Sequence, residues 1–219
     1  MIIRTESIKY YLEEYFNKSY ADVKISDILL IENITIDSFS SDNQKYPVFF
    51  EDLKNFKNLR YLELCNIIID DDFINNIMYL PYLENIIFRN CKFSDNIIFF
   101  DPSIKLKRIV IDSCYGFKFT YFSKVLTLKS ICIKNSNFSS FYGIKNLKLN
   151  FLEVIGNCNI RNFCISYLCV NQFIISLHIY NKYSNNFTNY SSRVMICADE
   201  GYYIESQYEN GLVVSWYII

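Results

Sequence analysis

One apolar pattern recurs along the middle of the chain and constrains its fold more than any other feature. The pattern is a leucine, two variable residues, a second apolar residue, one variable residue and a third apolar residue. Its five copies start at Leu59, Leu83, Leu106, Leu128 and Leu149, and successive starts are 24, 23, 22 and 21 residues apart. A period in this range is typical of a solenoid, in which each unit buries its apolar face against its neighbours.

The apolar spacing inside each unit predicts its secondary structure. The last two apolar residues of a copy, such as Leu62 and Leu64, are two apart, which predicts a strand. Upstream, Phe50, Leu53 and Phe56 are three apart, which predicts a 3₁₀ turn or a short helix. Each unit is therefore expected to combine one strand with one turn or helix.

The ends of the chain differ from the repeats and predict caps. Residues 5–18 form an amphipathic helix that Thr5 can cap, within an N-terminal helical cap at 1–24. We expect six to seven repeats over residues 25–180, the first of them at Ile25-x-x-Ile28-x-Leu30. One or two more strands are expected near the end of this region, around Val170–Ile179.

Residues 181–219 are expected to close the C-terminal end as a β-rich cap. Turn sequences separate three short apolar segments that predict strands, namely Arg193–Ala198, Tyr202–Tyr208 and Leu212–Ile219. A meander of these strands would place Trp216 over the core of the last repeat. The chain is therefore predicted to be a single domain, residues 1–219.

Charge and hydropathy limit the classes of partner. The formal net charge is −1, and the 22 basic residues are interpreted as scattered among the 23 acidic ones. Nucleic-acid-binding proteins usually carry a basic excess or stripe, so we expect no nucleic-acid partner. No secretory h-region and no apolar run of about 18 residues is present, so we expect no membrane partner.

The cysteines and the lone histidine predict neither a metal site nor catalysis. None of the eight cysteines forms a C-x-x-C pair, which indicates reduced thiols and a reducing, cytoplasmic location. No phosphate loop or nucleophile motif occurs, and His178 lies in an apolar alternation, so we expect no enzyme and no cofactor. The run Asp70–Asp72 is open to two interpretations, a divalent-ion site or the cap of a short helix, and capping is preferred.

The extended pattern resembles the leucine-rich repeat, in which Asn or Cys follows the strand. Leu83-x-x-Ile86-x-Phe88-x-x-Cys91-x-Phe93 fits in full, and the copy at Leu128 has Ser136 at the Asn/Cys position. The resemblance implies an α/β solenoid shaped as a horseshoe. Its parallel β-sheet would be concave, and its convex side would hold short helices, 3₁₀ turns and irregular segments.

The Asn/Cys position itself departs from the family pattern. In the family this side chain hydrogen-bonds to the neighbouring backbone, and here it is occupied by Ile67, Cys91, Cys114, Ser136 and Asn157. Isoleucine cannot make such a bond, and serine or cysteine is expected to make it only weakly. We therefore expect an irregular solenoid with uneven curvature.

Residues between the strand hydrophobes are expected to line the concave face as a protein-binding surface. We predict an exposed apolar centre of Ile87, Val110 and Cys132 with a charged surround, as at protein interfaces. The predicted site is Arg60, Tyr61, Glu63, Asn85, Ile87, Arg89, Arg108, Val110, Asp112, Cys132 and Lys134. Arg60, Tyr61, Arg89 and Arg108 would be its anchors, because Arg and Tyr dominate binding energy.

Two roles follow from this interpretation. The first is a protein-protein interaction module, such as a host-interaction factor. The alternative is a structural, self-assembling protein that forms a homo-oligomer through its C-terminal strands. The bias towards Ile, Asn, Tyr, Phe and Lys indicates an AT-rich genome, such as that of an insect poxvirus or a unicellular parasite.

Overall fold

The main element of the computed structural model is a ten-stranded sheet. The structure describes residues 2–39, 45–95, 99–187 and 193–197, and the backbone of residues 207–209 and 212–215. The strands are β1 (Asn33–Asp37), β2 (Tyr61–Cys65), β3 (Ile68–Ile69), β4 (Asn85–Arg89), β5 (Lys92–Phe93), β6 (Arg108–Asp112), β7 (Ser130–Lys134), β8 (Phe138–Ser140), β9 (Lys148–Ile155), β10 (Ile160–Asn162), β11 (Cys169–Ser176), β12 (Arg193–Cys197), β13 (Gln207–Glu209) and β14 (Leu212–Ser215).

Parallel pairing joins one strand of each repeat to the next. The sheet order is β1-β2-β4-β6-β7-β9-β11-β12-β14-β13, and every pair in it is parallel except β13 with β14. Two small parallel sheets, β3–β5 and β8–β10, follow the ends of the main strands. This architecture confirms the predicted α/β solenoid of the leucine-rich-repeat type.

Short helices and 3₁₀ turns connect the strands on one side of the sheet. The helices are α1 (Glu6–Phe16), α2 (Ile25–Ile28), α3 (Asp71–Ile77) and α4 (Leu177–Tyr183). The 3₁₀ turns span Tyr20–Asp22, Phe50–Asn55, Phe119–Phe122, Tyr142–Ile144 and Ser184–Asn186. The predicted turn at Phe50 is confirmed. Asp70 caps α3, because its Oδ1 accepts a hydrogen bond from the Phe73 N–H at 3.2 Å.

The core lies between the sheet and these connecting segments. The apolar residues of all five predicted motifs are buried, with Leu59, Leu62 and Leu64 fully so. Each such side chain contributes about 1.5–3 kcal/mol to folding. Phenylalanine rings of neighbouring repeats pack together in this core, with ring centroids 5.1 Å apart in Phe50–Phe73, 4.6 Å in Phe100–Phe122 and 5.5 Å in Phe141–Phe163. These large rings help to fill the core between the sheet and the connecting segments.

A left-handed residue follows the main strand in five successive repeats. These residues are Asn66, Asn90, Ser113, Asn135 and Gly156, with φ of 60, 51, 55, 47 and 68°. Asn and Gly adopt this conformation more readily than other residues. The positive φ turns the chain out of the strand at the same point of each repeat.

A buried hydrogen-bond ladder joins the repeats behind the strands. The Cys91 N–H donates to Cys114 Sγ at 3.3 Å, and the Cys114 N–H donates to Ser136 Oγ at 2.9 Å. The expectation for Asn157 is wrong: it is exposed, and Cys158 packs against the core instead. The chain has one more residue after the turn at Gly156, which shifts this position by one. The uneven curvature expected from Ile67 stays a prediction.

The N-terminal region differs from the prediction in two ways. Thr5 is the N-cap residue of α1, but its side chain makes no capping bond; its Oγ1 accepts from the Phe49 N–H at 2.9 Å. The segment expected to carry the motif of the first repeat, Ile25 to Leu30, contains the helix α2, and the first strand is β1. The i, i+3 spacing of Ile25 and Ile28 suits either element, whereas Ile34 and Ile36 alternate with more exposed residues as a strand requires.

The C-terminal region is not a simple meander. β12 pairs in parallel with both β11 and β14, so it extends the main sheet, while β13 and β14 form an antiparallel pair as expected for the last two strands of the meander. The strand expected at Val170–Ile179 is β11, which ends at Ser176, and His178 lies in α4. The predicted strand ends at 198, 202–206 and 216–219, with Trp216, fall outside the described residues.

Replacing Ser136 by alanine tests the ladder. Ser136→Ala leaves the buried Cys114 N–H without its acceptor, so we expect the free energy of unfolding to fall by about 1–3 kcal/mol. Ser136→Cys is the matched variant, since cysteine already occupies this position in the two preceding repeats, and it should lose less. Urea denaturation measures both, and equal losses would contradict the ladder.

Replacing Asp52 tests the attachment of the N-terminal helix. Asp52 is buried, and its Oδ2 accepts from the N–H groups of Arg4 at 2.9 Å and Thr5 at 2.7 Å. We expect Asp52→Ala to cost about 2–3 kcal/mol in thermal or urea unfolding. The adjacent exposed Glu51, which pairs with Arg4, is the control, and Glu51→Ala should cost no more than about 1 kcal/mol. Equal costs would show that the buried carboxylate is not needed.

Candidate functional site

The face of the main sheet that lies opposite the helices is the candidate site, and we call it the concave face. Parallel pairing aligns its outward residues across β2, β4, β6, β7 and β9. The first row is Tyr61, Asn85, Arg108, Ser130 and Phe151; the middle row is Glu63, Ile87, Val110, Cys132 and Glu153; the third row is Cys65, Arg89, Asp112, Lys134 and Ile155. The register therefore places the predicted residues in the expected rows. Arg60 lies just before the first row and immediately precedes β2.

The middle row is less exposed than its sequence predicts. Val110 is 6% and Cys132 1% exposed, and Ile87 is half-buried, so the expectation of an exposed apolar centre is wrong at Val110 and Cys132. Neighbouring strands of a sheet are only about 4.8 Å apart, so a short side chain between them is easily shielded from solvent. Cys132 Sγ also donates to Glu153 Oε2 at 2.7 Å. Burial, and next the Glu153 carboxylate, raise the pKa of the Cys132 thiol, so it stays protonated.

Arg89 is held by two carboxylates of neighbouring strands. Its Nε donates to Glu63 Oε1, and its Nη1 lies 3.0 Å from Asp112 Oδ2. The hydrogen bond with Glu63 is the main cause that raises the pKa of the Arg89 guanidinium. Glu63, Arg89 and Asp112 therefore form a chain of ion pairs across β2, β4 and β6. This arrangement fixes the guanidinium and offsets its charge.

The other predicted cationic residues differ in their pairing. Arg60 lies 3.6 Å from Glu32 and 3.9 Å from Glu84, at the outer range of an ion pair. Within the described ranges, Arg108 and Lys134 have no carboxylate at ion-pair distance. Among the arginine anchors proposed from the sequence, Arg60 and Arg89 are therefore paired with carboxylates, whereas Arg108 is not paired within the described ranges.

The apolar part of the face lies further towards the C-terminus than expected. Ile174 and Met195 are 7% and 5% exposed, and the half-buried Phe151 and Ile155 pack against them. Ile174 and Met195 were missed because the phase of the strands after residue 160 is ambiguous in the sequence. The sequence signal for β11 is the two-residue spacing of Phe173 and Ile175, which places Ile174 on the opposite face of the strand.

Other parts of the described chain offer fewer candidates. A cavity of about 360 Å³ lies away from the concave face, with Lys118 and Arg161 in its wall, and Lys118 is paired with Asp95 at 3.0 Å. No group of three metal-ligating side chains occurs in the described ranges. None of the helices described is long and apolar enough to cross a membrane.

Comparison with known proteins gives little further guidance. No family model and no curated protein matches the chain. Among solved structures, an internalin from Listeria monocytogenes is similar over 89% of both chains, with 13% sequence identity and a TM-score of 0.33. A TM-score this low does not establish a shared fold, so the architecture is assigned from the strand pairing alone.

Thiol reactivity tests the burial of the middle row. Cys132 is buried and its thiol is protonated, whereas Cys169 is exposed. We expect iodoacetamide to modify Cys132 of the native protein at least about tenfold more slowly than Cys169. Peptide mass spectrometry after brief labelling gives both rates, and denatured protein is the control. Equal rates in the native protein would mean that the row is open.

Proposed function

We propose that this chain is a protein-binding module whose concave face holds the partner. The observation that supports the proposal is the in-register alignment of polar and charged residues across five parallel strands. The helices contribute buried residues to the main core, whereas the apolar cluster on the concave face consists of strand residues only. The face is therefore a broad surface whose residues are positioned by backbone hydrogen bonds.

The predicted residues take different parts in this proposal. Arg108, Lys134, Tyr61 and Asn85 are available to contact a partner, and Arg60 lies at the edge of the surface. Glu63 and Asp112 hold Arg89 in one position, which lowers the entropy lost when a partner binds. The middle row, Ile87, Val110 and Cys132, forms the floor between them.

The free thiols support an intracellular partner, such as a host protein. Every cysteine whose state is described is free, and Cys91, Cys114 and Cys132 are buried. Buried reduced cysteines that hold the repeats together suit a reducing compartment. The proposed partner is therefore a protein of the same compartment.

Self-assembly is a second candidate, which the sheet order favours. β13 is the last strand in that order, so one side of its backbone has no neighbour within the described sheet. Edge strands of this kind pair between copies. Light scattering at several concentrations distinguishes the two, since a concentration-dependent dimer supports self-assembly and a constant monomer opposes it.

A steric block tests the concave face without altering its charge. We expect Asn85→Trp with Ser130→Trp to abolish capture of the partner from the native cell, because both residues lie in the first row. Ser139→Trp with Asn162→Trp, at exposed positions of β8 and β10, is the matched control and should capture normally. Thermal unfolding checks that both variants fold. Capture by the first variant at the wild-type level would refute the proposal.

A further inference from the structure

The basic residues of the chain are concentrated in one stretch, contrary to the expectation that they are scattered. Nine of the 22 lie between Lys105 and Lys148, where Asp112 is the one acidic residue. The first 101 residues, in contrast, hold 17 acidic and 10 basic residues. The net charge of −1 therefore conceals two regions of opposite charge.

The fold brings five of these cations to one edge of the concave face. They lie where β6, β7 and β9 begin, and we call them the basic edge: Lys105, Lys107, Arg108, Lys129 and Lys148. The Lys129 N–H donates to the Lys107 carbonyl at 2.8 Å, so these two residues occupy successive rungs. All five side chains are exposed. Neighbouring rungs of a sheet are about 4.8 Å apart, so the cations form a compact group.

The charges of the basic edge are largely uncompensated. Lys107 pairs with Glu84 at 2.7 Å. Within the described part of the chain, the other four have no carboxylate at ion-pair distance, unlike Arg60 before β2 and Arg89 on β4. Clustered like charges repel one another and attract an anionic partner.

Apolar groups beside the cations narrow the class of partner. Leu126 is 68% exposed in the turn before β7, and the half-buried Phe151 follows Lys148 on β9. A sugar-phosphate backbone is mostly polar and charged and offers little apolar surface to an aliphatic side chain such as Leu126, whereas a polypeptide can supply both carboxylates and apolar side chains. We propose that the basic edge binds an acidic, partly apolar polypeptide segment that lies across β6, β7 and β9. The inference rests on the proposed function, because it uses the same face.

Fluorescence anisotropy with a labelled twelve-residue peptide of alternating glutamate and leucine tests this proposal. The variant Lys105→Glu/Lys129→Glu/Lys148→Glu should bind at least about tenfold more weakly than the wild type. The matched control, Lys92→Glu/Arg161→Glu/Lys182→Glu, changes the net charge equally at exposed positions outside the edge, and should stay within about twofold. Added salt should weaken binding by the wild type, because it screens exposed charges.

Three results would overturn the proposal. These are a wild type that does not bind the peptide, equal weakening in both variants, and tighter binding of a single-stranded oligonucleotide than of the peptide at the same ionic strength. The steric variant at Asn85 and Ser130 separates this outcome from the proposed function. If the steric variant no longer captures the partner while the Glu variant of the basic edge binds the peptide as the wild type does, only the proposal for the basic edge is refuted. If the steric variant still captures the partner while the peptide binds the basic edge, the concave face is refuted as the site of the native partner.

Discussion

The parallel register between successive strands is the constraint on which the rest of the structure depends. Each strand donates to and accepts from its neighbours, so one shift by a residue would move every apolar side chain to the other face. The left-handed residue after the strand and the buried ladder beside Cys114 repeat in the same register. One set of backbone hydrogen bonds therefore orders the core on one face and the rows of polar residues on the other.

The same register also determines the electrostatics of the concave face. Opposite charges meet across β2, β4 and β6, where Arg89 lies between Glu63 and Asp112. Towards β7 and β9 the cations lack such partners, so the face changes from internally paired to positively charged. Paired charges confer rigidity, and unpaired charges confer attraction at a distance. A partner that contacts both regions would bind the rigid patch of paired charges and the basic edge beside it.

Much of the fold was predictable, because burial in a solenoid recurs with the sequence period. The five leucine motifs, the alignment of the rows and the cap at Asp70 all follow from local spacing. Cys158 was missed because a single extra residue shifts the repeat, and β1 was misplaced because the spacing of Ile25 and Ile28 suits a helix equally. An asparagine directly after a strand favours a left-handed turn, so Asn66, Asn90 and Asn135 could have predicted the ends of their strands.

The site was less predictable than the fold, since exposure depends on neighbours from other strands. Nothing in the sequence around Val110 or Cys132 indicates that these two residues are buried on the outward face. The basic edge, in contrast, is visible in the sequence once charge is counted by region rather than over the whole chain. Averaging over 219 residues concealed it.

Site-specific photo-crosslinking tests the central claim, that the concave face holds the partner, most directly. A benzoylphenylalanine at Asn85 would lie in the first row of the concave face, and one at Asn162 would lie on β10, in a separate small sheet. The account predicts a covalent adduct with a partner protein from position 85 and none from position 162. An adduct from position 162 alone would contradict it.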